Sequence, residues 1–171
     1  MITKHPANQP PAGAGQRLIE HIYAAFVEAP RPKAGGITGC SRIGCGECRE
    51  LDETLSPFKA RDVPDVQLRT NTDAIPLLSP IAFRYYLPRY VEFSIVHKNT
   101  NSHLVDSVLY SLSKDKPSEP YWVARYSVFT PPERRAISDY IATRRTWPDT
   151  EFYIKYFDLA DAIWGTGTAV V

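Results

Sequence analysis

A single all-α domain is the fold class this sequence predicts, and three observations predict it. Apolar residues recur three and four apart in segment after segment, proline and glycine cut those segments to helix length, and only one short stretch has the composition of a strand. At 171 residues the chain suits one domain with its own core. Hydrophobic residues at 43% and charged residues at 23% exclude a disordered or collagen-like chain. The expected arrangement is a bundle of about six or seven helices around a buried central helix, covering residues 16–164. A flexible proline-rich leader is expected at 1–15 and a loose tail at 165–171.

The first helix follows from Leu18, Ile19, Ile22, Tyr23, Phe26 and Val27, which share one face of the stretch Gln16 to Ala29 before Pro30 and Pro32 end it. A loop rich in glycine, proline and serine follows, and Leu51, Leu55 and Phe58 mark a short second helix starting near Cys48. Ser79 and Pro80 are an N-cap and a first helical residue for the run IAFRYYLPRYVEFSIV, whose scarcity of polar residues predicts the buried central helix. Pro88 removes a backbone donor inside it, so either a kink or a junction of two helices is expected there. Asn101 or Ser102 can cap the next helix, which carries Leu104, Val105, Val108, Leu109 and Leu112 and stops before a loop at 114–120.

Residues 121–129, YWVARYSVF, are aromatic and β-branched and predict the one extended segment. Thr130-Pro-Pro-Glu133 has the spacing of a capping box, with Ile137, Tyr140 and Ile141 on one face behind it. The acidic start at 149–151 opens a last helix through Phe152, Tyr153, Tyr156, Phe157, Ala160, Ile163 and Trp164, ended by Gly165.

Charge and cysteine usage narrow the function classes. A formal net charge of +1 argues against a nucleic-acid partner, which draws a strongly basic surface. No apolar run approaches the roughly 20 residues of a membrane span, and the first residues lack the greasy stretch of a secretory signal. Three cysteines within nine residues do not build a disulfide framework, and a cytoplasmic location is expected.

Those cysteines, Cys40, Cys45 and Cys48, lie in a glycine-bearing loop and can converge on one point. Their Cys-x4-Cys-x2-Cys spacing is similar to the cluster loop of plant-type ferredoxins, but a fourth thiolate is required and no cysteine follows Cys48. A structural zinc needs only one further ligand, and His21 on the first helix is the candidate, with His97 and His103 as alternatives. Two other readings stay open: reduced thiols packed as small apolar residues, or a redox pair at Cys45-Gly-Glu-Cys48, where a helix start lowers a thiol pKa.

Arg84, Tyr86, Arg89 and Tyr90 interleave cations with aromatics and are the candidate binding residues, set against the plainer reading of tyrosines in the core and arginines snorkelling outward. Arg134, Arg135, Arg144 and Arg145 read as a solvated helix face diluted by Glu133 and Asp139. Ser102, His103 and Asp106 have the residue types of a hydrolase triad without a nucleophile motif, and the chain carries neither a glycine-rich phosphate loop nor HExxH.

The block Leu77-Leu-Ser-Pro-Ile-Ala-Phe-Arg-Tyr-Tyr-Leu-Pro-Arg-Tyr90 resembles that of an uncharacterised family of small bacterial proteins. Ala25-Phe26 at a helix end, Cys45-Gly-Glu-Cys48, and Phe129-Thr130 before a late helix extend the resemblance over residues 16–145. It implies one domain and brings no activity. The expected function is a non-catalytic protein-binding module, an immunity or adaptor protein, since aromatics at 12% and spare arginines are the usual anchors of binding. The alternative is a small metal- or thiol-dependent enzyme, redox or hydrolytic.

Overall fold

The computed structural model describes residues 13–39, 45–71, 74–98, 103–114, 117–147 and 150–165. Among them are eight α-helices and no strand: α1 (Ala14–Ala25), α2 (Gly46–Leu55), α3 (Asp65–Thr70), α4 (Pro80–Val96), α5 (His103–Leu112), α6 (Pro120–Tyr126), α7 (Pro131–Arg144) and α8 (Ile154–Trp164). Short 3-10 turns occupy Ala60–Asp62, Ile75–Leu77 and Thr150–Tyr153. Residues 1–12 of the expected leader, Cys40, the Asn101 and Ser102 caps, Asp149 and the tail at 166–171 lie outside the described residues.

The central helix is α4. Ser79 starts it with one hydroxyl used twice, accepting from the Ala82 N–H at 3.2 Å and donating to the Gly36 carbonyl at 2.7 Å. It runs as one helix through Pro88, so the alternative of two helices meeting there is set aside. Its apolar residues are spent on several sides at once, because α1, α5, α6 and the turn at Ala60–Asp62 all pack against it. Phe83, Tyr86, Leu87, Tyr90 and Phe93 are buried in a core that also draws on α1, α5, α7 and α8.

Aromatic rings join these helices edge to face. Phe129 meets Phe26 at 5.9 Å, Phe83 at 5.7 Å and Trp164 at 5.2 Å, and each such pair contributes roughly 0.5–1.5 kcal/mol beyond its burial. α1 is shorter than its apolar pattern: it ends at Ala25 with Phe26 as C-cap, and Val27 is exposed. The capping box at the start of α7 is present, with the Thr130 N–H donating to Glu133 at 2.7 Å.

The segment at 121–129 corrects an expectation. It is not extended; its first part is α6, with Pro120 at the first helical turn. Trp122, Tyr126 and Phe129 stand four and three apart and pack on the core, so helical spacing overrides a β-like composition. Arg125 locks that register from inside. Its guanidinium donates to the Leu78 carbonyl at 2.6 Å and to the Ile75 carbonyl, and it stacks on the Phe83 ring at 3.7 Å. Burial lowers its pKa to about 10, which leaves it protonated at neutral pH.

Among the described residues, no helix is long and apolar enough to cross a membrane.

Candidate functional site

Cys45 is the N-cap of α2, and Cys48, one turn on, is buried. The chain before Cys40 is pinned: the Ile37 N–H and the Thr38 hydroxyl donate to the Asp52 carboxylate at 3.0 and 3.2 Å, and the Gly39 N–H donates to the Leu77 carbonyl at 2.9 Å. Cys40 itself lies outside the described residues. His21, expected as the fourth zinc ligand, is half-exposed on α1 with Nε2 at 3.3 Å from Asp139 on α7. Among the described residues no group of three His, Cys, Asp or Glu side chains stands close enough to hold a metal ion.

The four candidate binding residues point inward. The Arg84 Nε donates to both carboxylate oxygens of the buried Glu133, at 2.9 and 3.0 Å. The Tyr86 hydroxyl donates to the Leu55 carbonyl at 3.0 Å, tying α4 to α2. Arg89 donates to the Val63 carbonyl at 2.9 Å and pairs with Asp65, while Tyr90 is buried with a hydroxyl that finds no partner among the described residues. These side chains join α4 to α7, α2 and α3.

Around Arg89 they form a polar junction between α3 and the end of α4. His97 Nε2 lies 2.7 Å from Asp65, and the Tyr23 hydroxyl donates to Glu92 at 2.6 Å. Burial pushes the Asp65 carboxyl up, but hydrogen bonds from Arg89 and His97 outweigh it and hold the group below its usual value.

The surface that does gather binding chemistry lies between α5 and α8. A cleft of about 240 Å³ is lined by Tyr110, Ser113, Lys114, Lys155, Tyr156 and Leu159. Tyr110 meets Tyr156 edge to face at 4.4 Å and Tyr153 at 6.5 Å, so tyrosines from α5, the 3-10 turn at Thr150–Tyr153 and α8 form one cluster. A hydrogen bond with Tyr156, then burial, raises the Tyr110 pKa and keeps the phenol neutral. Beside the cluster in the chain, Phe152 is 75% exposed and Ile154 56%. Sequence periodicity placed Phe152, Tyr153 and Tyr156 on the core face of the last helix. Phe157, Ala160, Ile163 and Trp164 are buried, Tyr153 and Tyr156 are half-buried against the core, and Phe152 is left on the surface. That surplus of aromatic residues over one helical face was the available signal. The lysines gave none, since they meet only when α5 and α8 pack.

Chemically, the cleft presents two ammonium groups and aromatic faces, which suits recognition by charge and stacking. A second cleft, of about 270 Å³, is lined by Glu47, Glu50, Leu51, Thr70, Asn71, Ala74 and Leu77 and has no aromatic wall.

Fold and surface together define a single-domain, all-α protein with an aromatic, cationic cleft between its fifth and eighth helices. The chain matches the model of DUF6714, a family of unknown function, over residues 16–152, and it belongs to that family. No curated protein and no solved structure matches it.

Proposed function

We propose that this chain is a non-catalytic protein-binding module, of the immunity or adaptor kind, and that its contact face is the tyrosine cluster of α5 and α8 with Phe152 and Ile154. The observation that carries the reading is a tyrosine cluster at a ready-made cleft, with Tyr110 exposed there and Phe152, next to Tyr153 in the chain, exposed as well. Leaving a phenylalanine in water forgoes roughly 1.5–3 kcal/mol of burial, and a docked partner recovers it. Aromatic residues around a cleft are the side chains from which binding hot spots are built.

Affinity capture from the native cell, run side by side with the chain and with a Tyr110→Ala, Phe152→Asp variant, tests it. A stoichiometric protein partner recovered by the first and lost by the second, with both chains equally stable, is the expected result. Recovery of the chain alone, or a partner retained by the variant, overturns it.

A further inference from the structure

We propose that the cleft between α5 and α8 receives an acidic segment of the partner protein, its carboxylates pairing with Lys114 and Lys155 and an adjacent apolar side chain covering the tyrosine cluster. The inference rests on the reading of this face as a protein-binding surface and adds the chemistry of what is bound.

Charge complementarity carries it. Among the described residues no carboxylate lines the cleft, while two lysines do, one from each side. Two acids near the cleft face arginines: Asp106 lies 3.6 Å from Arg144, and Asp158 lies 3.9 Å from Arg145. The Lys114 ammonium sits 5.0 Å from the Trp122 ring, which holds a flexible cation at the rim.

The end of α5 beside the cleft would ordinarily repel an anion, since a helix C-terminus carries partial negative charge on its unsatisfied carbonyls. Here those carbonyls are occupied. Leu109 accepts from the Ser113 hydroxyl at 2.7 Å, Ser111 from the Tyr126 hydroxyl at 3.0 Å, and Leu112 from the Trp164 indole N–H at 2.8 Å. With these carbonyls accepting from α6, α8 and the residue that follows α5, the helix end presents fewer unsatisfied acceptors to an anion in the cleft. A protein segment fits better than a nucleic acid. A phosphate backbone asks for a long row of cations, whereas this cleft has two lysines beside two tyrosines on a chain of net charge +1.

The test is a nuclear magnetic resonance titration of the nitrogen-labelled full chain with a random glutamate–tyrosine copolymer, with a thymidine oligonucleotide as the competing polyanion. The expected result is saturable amide shifts confined to residues 107–114 and 150–159. Binding should weaken about tenfold in the Lys114→Gln, Lys155→Gln variant and return when both positions are arginine. Absence of saturable binding, shifts elsewhere, affinity indifferent to the two lysines, or tighter binding of the oligonucleotide overturns the inference. If native capture still yields a partner that the Tyr110→Ala, Phe152→Asp variant loses, only the acidic chemistry falls. If no such partner exists, the protein-binding reading falls with it.

Discussion

Glu133 closes the capping box of α7 and also neutralises Arg84 of the central helix, with almost none of its side chain exposed. Removing it leaves a nearly buried guanidinium without its counter-charge and an amide at the helix start without its acceptor. Glu133→Ala should therefore cost about 3–5 kcal/mol in urea denaturation. A loss below about 1 kcal/mol, the range of a surface pair, would contradict the assignment. Asp65 makes a different prediction, one that depends on pH. Its carboxyl is held below its usual value in the folded protein, so in acid the unfolded chain binds more protons. The stabilisation is present above the ordinary carboxylate pKa and is lost as pH falls through the depressed folded value, from about pH 4 downward. Asp65→Asn should flatten the acid side of the stability curve; an unchanged slope would remove Arg89 and His97 as the cause.

At the scale of elements, α8 and the 3-10 turn that leads into it separate core from surface most cleanly. Phe157 is buried while Phe152, five residues earlier, stands in solvent. Phe157→Ala should cost about 3–5 kcal/mol and Phe152→Ala less than about 0.5, both read from chemical denaturation. Comparable losses at the two positions would mean that Phe152 belongs to the core and the proposed contact face does not exist. The same helix shows where periodicity reaches its limit: it finds the apolar residues and their spacing, but which of them the core uses depends on how α5 packs alongside. In α6 a local signal lost outright. YWVARYSVF has strand composition, yet Pro120 starts a helix and the Arg125 fork fixes it to carbonyls contributed by residues 75 and 78, a contact invisible in the local sequence. The cysteine loop is tested by metal content. A zinc held by Cys40, Cys45, Cys48 and a histidine predicts about one equivalent in untagged protein and a melting temperature lowered by a chelator; less than about a tenth of an equivalent sets the metal aside.

Across the whole molecule, the central helix, the capping box and the all-α class were legible, because Ser79-Pro80, Thr130-Pro-Pro-Glu133 and the long apolar run act through neighbours in the chain. The proposed contact face was not. Arg84, Tyr86, Arg89 and Tyr90 have the composition of binding anchors, but α4 is packed by several elements, and its arginines are consumed by Glu133, Asp65 and the Val63 carbonyl. Tyr110 and Lys155 are 45 positions apart and acquire meaning only as the two walls of one cleft. Hydrogen-exchange mass spectrometry of the full chain, free and bound to its captured partner, tests that account most directly. Protection on binding confined to residues 107–114 and 150–159 is the predicted result. Protection centred on α1, on the cysteine loop or on the junction of α3 and α4, with none at 150–159, would contradict it.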